Sequence, residues 1–289
     1  MLTSILLGFN GGKVFYLSHF IVYTDDMGFF GFRKKVGLAL GSGGTRGFAH
    51  IGAIKALQAH NIPIDYIAGC SAGAIVGGAF AVESDLSKLE SFIETLPYME
   101  MIKSFSDINL RDGIIKGDRF LSLLKNLVGE LNIDDCNVPF TAVAAEKESG
   151  DAVLISNGSL ADAMRASSSI PILFSPFKHK ELGELVDGGV MQQVPVDIVK
   201  DMGADIVIAV NLSESDVPYN KKSNVAVMQN YMNLILKGLA RANCKAADVV
   251  IEPAFQSRDW ISNFQQRAAV IAAGYNAMSE KIPMIKKLL

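Results

Sequence analysis

Hydrophobic residues along this chain fall into two kinds of run. Val36–Leu40 and Ile206–Val210 are continuous apolar runs of the length of buried strands. Over 47–59, in contrast, apolar residues recur at every third position from Phe48 to Leu57, which is the spacing of one helix face. Strands that alternate with helices in this way predict an α/β fold, with three layers (α/β/α) around a central, mostly parallel sheet.

The same patterns predict the remaining elements. Further strands are predicted at Tyr66–Ala68, Phe140–Ala145, Ala152–Ile155 and Leu185–Val186, and further helices at Ala72–Val82, Leu86–Leu96, Arg119–Leu127, Leu160–Ala166, Val225–Ala242 and Ile261–Met278. Neither an internal repeat nor a low-complexity linker separates these elements. We therefore predict one domain over 36–289 that includes the C-terminal covering helices, with 1–35 as an N-terminal extension outside the fold.

Composition and charge narrow the class of protein. The net charge is −3, so no basic surface for a nucleic acid is indicated. The three cysteines are odd in number and scattered, which is typical of a reducing compartment and argues against both a disulfide framework and a structural metal site. The uncharged run Tyr66–Val82 approaches the length of a membrane span, but its glycines and its serine turn favour a buried strand–turn–helix. We expect a cytoplasmic protein.

A glycine-rich turn, Gly41–Gly47, joins the first strand to the first helix. Glycines at such a place let successive N–H groups face an anion beside a helix N-terminus. The turn is consistent with a pyrophosphate loop for a dinucleotide, with an oxyanion hole for acyl transfer, or with a plain helix-entry turn. Its glycines are one residue off the dinucleotide spacing, and Asp65 opens the second strand instead of ending it, which weakens the first interpretation.

The segment Gly69-Cys70-Ser71-Ala72-Gly73 places a serine between a predicted strand and a predicted helix. A serine at such a bend adopts strained backbone geometry that presents its hydroxyl, while the helix directs its positive end at the same spot. The alternative is an ordinary small-residue turn. We expect the Cys70 side chain to point away from the site and to serve packing.

A third motif, Asp187-Gly188-Gly189, supplies a carboxylate at the end of a predicted strand. A histidine base is harder to find, because only His179 follows Ser71, in a charged stretch that predicts an exposed loop. His50 lies in the first helix, where a core or helix-face role is expected. A carboxylate becomes a useful base near neutral pH only if its site raises its pKa, and apolar surroundings do so by desolvation.

In this order, the three motifs resemble those of the patatin-like phospholipase family, and in particular its bacterial, lysophospholipase-type branch. The further segments that carry the resemblance are Arg165–Pro171 with Phe174–Pro176, Ala49–Gly52, Gly113–Asp118 and Ala247–Pro253. The resemblance covers roughly 36–280, and the combination is more specific than any one motif. Position 42 departs from the pattern, since it is serine where many members carry glycine.

The resemblance implies a hydrolase of lipid acyl esters, phospholipid or lysophospholipid, that works without a metal or another cofactor. It implies Ser71 as the nucleophile and Asp187 as the proton acceptor, with an oxyanion hole formed by the backbone. The residues assigned to that hole are Gly43, Gly44, Thr45 and Arg46, and the remaining motif glycines are Gly41, Gly47, Gly69, Gly73, Gly188 and Gly189.

Two segments are candidate lipid contacts. The irregular stretch Pro97–Asp112 is equally consistent with an apolar rim for the acyl chain and with an ordinary surface loop. Phe29–Lys35 pairs aromatic with basic residues, as a peripheral membrane contact does, or is simply an apolar N-terminal segment. A non-catalytic lipid- or protein-binding member of the family and a dinucleotide-dependent oxidoreductase remain as alternatives to the hydrolase.

Overall fold

The computed structural model describes residues 33–97, 99, 103, 106–107, 115–213, 224–255 and 260–289. Its strands are β1 Val36–Leu40, β2 Tyr66–Cys70, β3 Phe140–Glu146, β4 Ala152–Ile155, β5 Phe177–His179, β6 Gly183–Asp187, β7 Ile206–Val210 and β8 Val249–Ile251. Its helices are α1 Phe48–Ala59, α2 Ala72–Glu83, α3 Ser87–Thr95, α4 Asp118–Val128, α5 Leu160–Ser167, α6 Val196–Asp201, α7 Asn224–Asn243, α8 Trp260–Gln265 and α9 Arg267–Leu288.

All of these strands belong to one sheet, in the order β5-β6-β3-β2-β1-β7-β8, with β4 also paired to β3. Strands β3, β2, β1, β7 and β8 run parallel, whereas β4, β5 and β6 pair antiparallel with their neighbours. Helices cover both faces, so the predicted fold class, α/β with a mostly parallel central sheet, is confirmed.

The register of β3 brings two distant parts of the chain together. Strand β2 pairs with β3 as far as Cys70, which lies opposite Val143, and at the next residue of β3 Asp187 of β6 lies opposite Ala144. Strand β4 pairs with both of these β3 residues and so occupies the other edge. The two strands β2 and β6 therefore use the same edge of β3 in succession and meet end to end.

The core lies on both faces of the sheet. Along β1, Leu38 and Leu40 face the cluster packed under α1, α2 and α9, while Ala39 faces a smaller cluster that includes Val199 of α6. This alternation is the period-two pattern of a strand buried on both faces. None of the helices in the described ranges has the length and hydrophobicity needed to cross a bilayer.

Three short elements were not predicted from the sequence. Strands β5 and β8 have three residues each and α6 has six, so none is long enough to show a period. The predicted helix at Ile261–Met278 is in fact two, α8 and α9, and α9 continues through Pro283 to Leu288.

Residues Lys34–Leu289 form one compact unit. The predicted extension, 1–35, lies outside the described residues up to position 32, and its separateness stays a prediction.

Candidate active site

Ser71 occupies a strained position between β2 and α2. Its backbone angles are φ 53° and ψ −119°, a conformation that non-glycine residues rarely adopt, so the predicted strain is confirmed. The bend is possible because α2 lies against the end of β1, where a Cβ on Gly73 would come within 2.1 Å of Leu40 O. Gly69 is required for a similar reason, since its Cβ would lie 2.4 Å from Gly73 O.

The peptide of Ser71 is held by a buried hydroxyl. The Ser71 N–H donates to Ser167 Oγ at 2.9 Å, and Ser167 Oγ in turn donates to Val143 O at 2.6 Å. Ser167 is the last residue of α5 and is fully buried. This hydroxyl therefore ties the serine turn to α5 and β3 together. This role of Ser167 is not predicted from the sequence, where the residue belongs only to the segment Arg165–Pro171.

Asp187 is buried beside the serine turn. Its Oδ1 accepts a hydrogen bond from Gly189 N at 2.8 Å, while its Oδ2 has no hydrogen-bond partner among the described residues. Burial raises the pKa of this carboxyl to about 6, against the opposing effect of the neighbouring polar groups of Ser71, Gly189 and Cys70. Ser71 directly follows Cys70, and Cys70 and Asp187 pair with consecutive residues of β3. The structure brings the two predicted residues together.

Asp187 reaches the site from an antiparallel strand. Strand β6 runs antiparallel to β3, whereas β2 runs parallel to it. The carboxyl end of β6, at Asp187, therefore points toward the carboxyl end of β2. Gly188 allows the turn that follows, because a Cβ there would lie 2.2 Å from Val143 O.

The expectation that Cys70 points away from the site is wrong. Its Sγ lies 3.9 Å from Asp187 Oδ1, because Cys70 and Asp187 pair with consecutive residues of β3. Burial, followed by the neighbouring Asp187 charge, raises the pKa of the Cys70 thiol well above its ordinary value. Cys70 is therefore a neutral thiol that donates a weak hydrogen bond to the carboxylate.

The glycine-rich turn presents free backbone donors. After β1, Gly41 N donates to Val210 O and Ser42 N to Gln193 O, and a 3-10 turn spans Gly44–Gly47. The Arg46 N–H donates to Gly43 O at 3.2 Å. Within the described ranges, the N–H groups of the three residues before it have no protein acceptor; these residues are Gly43, Gly44 and Thr45.

This turn lies directly against the serine turn. A Cβ on Gly47 would meet the Ala72 Cβ at 2.4 Å, and one on Gly73 would lie 2.9 Å from Gly41 O. Gly44 has φ +56° and open space where a side chain would be. The three motifs predicted from the sequence therefore converge on one place.

Gln193 links the glycine-rich turn to the aspartate turn, a role not predicted from the sequence. Its side-chain amide donates to Gly189 O at 2.7 Å, and its backbone carbonyl accepts from Ser42 N at 2.8 Å. The Ser42 hydroxyl lies close by, 3.0 Å from the position of a Cβ on Gly189. Serine at position 42 is thus accommodated beside the aspartate turn.

Of the two histidines considered from the sequence, His179 lies in a surface turn and His50 lies in the core. His179 is at the end of β5, where its Nδ1 accepts from the N–H groups of Glu181 and Leu182 and so closes a surface turn. His50 is fully buried, and its Nε2 hydrogen-bonds Gly41 O at 2.7 Å. Burial lowers the pKa of His50 to about 4, so it is neutral at pH 7 and its Nε2–H supports the glycine-rich turn.

Other predicted contacts are described only in part. The Arg46 guanidinium lies 5.8 Å from the centroid of the Phe255 ring. Most of the candidate rim Pro97–Asp112 lies outside the described residues, as does most of Phe29–Lys35. In the parts of the chain that are described, no group of three or more His, Cys, Asp or Glu residues is arranged to hold a metal ion.

Two known proteins are similar in sequence to much of this chain. An uncharacterized NTE family protein of Mycobacterium bovis is 33% identical over 204 residues, which cover 70% of this chain and 56% of that protein. Patatin-like phospholipase domain-containing protein 7 of Rattus norvegicus is 31% identical over 189 residues, covering 63% of this chain and 14% of that protein. The chain thus spans only part of the length of these relatives.

A solved structure shares the fold, and a family model matches the region of the site. VipD from Legionella pneumophila superposes with a TM-score of 0.51 at 14% identity, covering 87% of this chain and 67% of that one. The model of the patatin-like phospholipase family matches residues 38–200, a range that includes the glycine-rich turn, Ser71 and Asp187. The chain belongs to the patatin-like phospholipase family.

Proposed function

We propose that this protein is a serine acyl hydrolase that cleaves fatty-acyl ester bonds of lipids, either phospholipids or lysophospholipids. The observation that carries the proposal is the end-to-end meeting of β2, which leads into Ser71, and β6, which ends at Asp187, at one edge of β3. Oδ2 of the buried Asp187 carboxylate is unpaired among the described residues. The family name and the relatives named as phospholipase-domain proteins support the same class of reaction.

In the proposed reaction, Ser71 Oγ attacks the ester carbonyl carbon while Asp187 accepts the hydroxyl proton. The carbonyl oxygen becomes an oxyanion that the free N–H groups of Gly43, Gly44 and Thr45 stabilise. The Arg46 N–H, also assigned to the oxyanion hole from the sequence, would first have to release Gly43 O. Asp187 then gives its proton to the departing alcohol, which leaves an acyl-serine.

Water completes the cycle by the same steps. Asp187 takes a proton from the water that attacks the acyl-serine, and Ser71 leaves with that proton as the fatty acid departs. A carboxylate whose pKa is about 6 is still mostly ionised at pH 7 and is a stronger base than an ordinary aspartate. This shift is what allows the dyad to work without a histidine.

A fluorophosphonate probe tests this proposal directly, because it labels only activated serines. We expect the wild type to be labelled, Ser71→Ala to remain unlabelled and Asp187→Asn to label at least a hundredfold more slowly, a loss of about 3 kcal/mol in transition-state stabilisation. His179→Ala is the matched control and should label at the wild-type rate. An unlabelled wild type that is folded by circular dichroism would remove the hydrolase in favour of a non-catalytic lipid- or protein-binding member.

Hydrolysis of a short-chain ester distinguishes the remaining alternatives. A chelator should leave the rate unchanged, since the proposed steps use only side chains and backbone N–H groups of this chain. Saturable binding of a dinucleotide would instead favour the oxidoreductase interpretation of the glycine-rich turn.

We further propose that the protein works in the cytoplasm at a membrane surface, where its lipid substrate lies.

A further inference from the structure

A short turn beside the candidate site exposes apolar side chains to solvent. Residues 170–173, with the sequence Ile-Pro-Ile-Leu, form this turn, which we term the apolar tip. Ile172 is 93% exposed, and Ile170 and Leu173 are also exposed. An isolated exposed apolar residue is ordinary, but three in one turn of four residues form a patch that water solvates poorly.

The backbone of the tip is strained at its most exposed residue. Ile172 has φ +72°, in the left-handed region that β-branched residues strongly disfavour. The turn is fixed in this form by Ile170 O, which accepts from Leu173 N at 3.2 Å and from Phe174 N at 2.9 Å. Strain of this kind persists where the surrounding structure determines it and is concentrated at functional positions.

A buried arginine makes the base of the tip rigid. The Arg165 guanidinium donates to Ser169 Oγ at 2.6 Å on one side of the tip, and lies 4.7 Å from the centroid of the Phe174 ring on the other. Phe174 also stacks on Phe120 of α4 at 5.5 Å between centroids. The tip therefore projects from a fixed base.

The tip is continuous with the candidate active site. Ser169, the residue before the tip, accepts a hydrogen bond through its carbonyl from Asp187 N at 2.9 Å. Past Asp187 on the other side, Val190 and Met191 are again exposed apolar residues. Exposed apolar side chains therefore lie on both sides of Asp187, in the apolar tip and at 190–191.

Along the sequence, the charged residues nearest to the tip on either side are basic. Between Ala163 and Lys180 the sequence contains no acidic residue, while Lys178 and Lys180 follow the tip closely. The Lys178 side chain is 83% exposed although its ammonium lies 3.4 Å from Glu184. An apolar tip followed by exposed lysines complements a surface that is anionic outside and apolar beneath, which is the surface of an anionic phospholipid layer.

We propose that the apolar tip inserts into the surface of an anionic phospholipid membrane and thereby presents the Ser71–Asp187 site to lipid in that layer. This inference rests on the proposed function for the identity of the substrate. Insertion itself requires only the tip, so binding and hydrolysis are separable in an experiment.

The test uses the full chain and vesicles of phosphatidylcholine with phosphatidylglycerol. Ile172→Asn is the informative variant, because asparagine tolerates a positive φ and removes the apolar side chain without adding strain. We expect it to bind vesicles and hydrolyse vesicle lipid about tenfold less well, with unchanged hydrolysis of a soluble short-chain ester. Ile172→Leu, which keeps an apolar side chain, should retain most of the binding.

Two further variants serve as controls. Met284 of α9 is exposed, but it lies one turn before Leu288, whose carbonyl accepts from Lys34. Lys34 precedes the amino end of β1, whereas the glycine-rich turn follows its carboxyl end, so Met284→Asn should bind normally. Helix α7 also exposes apolar residues, including Met228 and Ile235. A loss of binding in Ile235→Asn with none in Ile172→Asn would overturn the proposal, as would equal binding to vesicles of phosphatidylcholine alone.

The failure of the proposed function is distinguishable from the failure of this inference. A wild type that binds anionic vesicles through Ile172 but hydrolyses neither lipid nor soluble ester would sustain the docking surface and remove the hydrolase. If the wild type hydrolyses vesicle lipid and Ile172→Asn does so at the same rate, the hydrolase is sustained and the docking surface is removed.

Discussion

The backbone N–H of Ser71 donates a hydrogen bond to the side-chain hydroxyl of Ser167, 2.9 Å away in a fully buried position. The same hydroxyl donates to Val143 O at 2.6 Å, so it satisfies two backbone groups at once. This contact fixes the peptide of the proposed nucleophile relative to β3, the strand on which Asp187 is also paired. We infer that Ser167 is a positioning residue for the Ser71–Asp187 pair.

Replacement of Ser167 by alanine should lower kcat with little change in KM. The substitution removes the hydroxyl that the Ser71 N–H and Val143 O share, and a buried group that loses its partner costs about 1–3 kcal/mol. We expect kcat for a soluble ester to fall at least tenfold, together with a lower midpoint of urea unfolding.

The neighbouring serine provides the control. Ser168 is also buried, but its hydroxyl has no hydrogen-bond partner in the described part of the chain. Ser168→Ala should therefore leave kcat and stability unchanged or slightly raised. Equal effects of the two substitutions on kcat would contradict a positioning role for Ser167.

The pKa of Asp187 predicts how activity depends on pH. Because the carboxylate must be ionised to accept the proton of Ser71, kcat/KM for an uncharged ester should rise with pH along a limb with an apparent pKa of about 6. Measurement between pH 4.5 and 8 tests this. A limb centred near 4, the ordinary value for an aspartate, would show that the site does not desolvate the carboxyl.

The same shift predicts how stability depends on pH. The folded state holds a proton that the unfolded state releases, so this group lowers the free energy of unfolding as pH rises from about 4 to 6. Asp187→Asn removes that loss and keeps an acceptor for Gly189 N. Relative to the wild type, the variant should gain up to about 3 kcal/mol between pH 4 and pH 8. Urea unfolding at the two pH values measures this, and a constant difference would refute it.

The parts of the site that could be predicted from the sequence are those with a local signature. Glycines before and after Ser71 signal a strand–turn–helix, and the structure contains the bend with φ 53°. The contribution of Ser167 could not be predicted in this way, because the hydroxyl acts on a peptide 96 residues earlier in the chain. Such long-range contacts depend on strand register, which hydrophobic periodicity does not specify.

The same limit explains the error over Cys70. From the sequence, its side chain is expected to point away from the site and to serve packing. In the fold, β6 takes over the edge of β3 where β2 ends, so the carboxylate reaches the thiol from a neighbouring strand. The fold class was predictable because Val36–Leu40 and Ile206–Val210 are long enough to be recognised as buried apolar strands. The strands β5 and β8, with three residues each, are too short for this.

The strained backbone of Ser71 predicts an unusual order of stability. Ser71→Gly and Ser71→Ala both remove the nucleophile, but only glycine adopts φ 53° and ψ −119° without steric cost. The glycine variant should therefore be more stable by about 1–2 kcal/mol in urea unfolding. At Ser122, an exposed site inside α4, the order should be the usual one, with glycine less stable than alanine by about 1 kcal/mol. The same order at both sites would mean that Ser71 is not strained.

The neutral, buried His50 predicts the opposite pH trend from Asp187. Its pKa is lowered to about 4 by burial, so the unfolded state binds a proton that the folded state lacks, and the free energy of unfolding falls as pH decreases from about 6.5 to 4. In the wild type this loss offsets the gain from protonation of Asp187 over nearly the same range. His50→Gln keeps a donor for Gly41 O and does not titrate, so it should lose less stability in acid than the wild type, by about 3 kcal/mol at pH 4.

Measurements of kcat show whether His50 only stabilises the fold or also positions the glycine-rich turn. His50→Gln should retain most of the wild-type kcat above pH 7, because an amide N–H still supports Gly41 O. His50→Phe fills the same buried space without a donor and should lower kcat at least tenfold as the turn relaxes, a loss of about 1.4 kcal/mol. If both variants keep full activity while only the acid stability of His50→Gln changes, the histidine stabilises the fold but does not position the oxyanion donors.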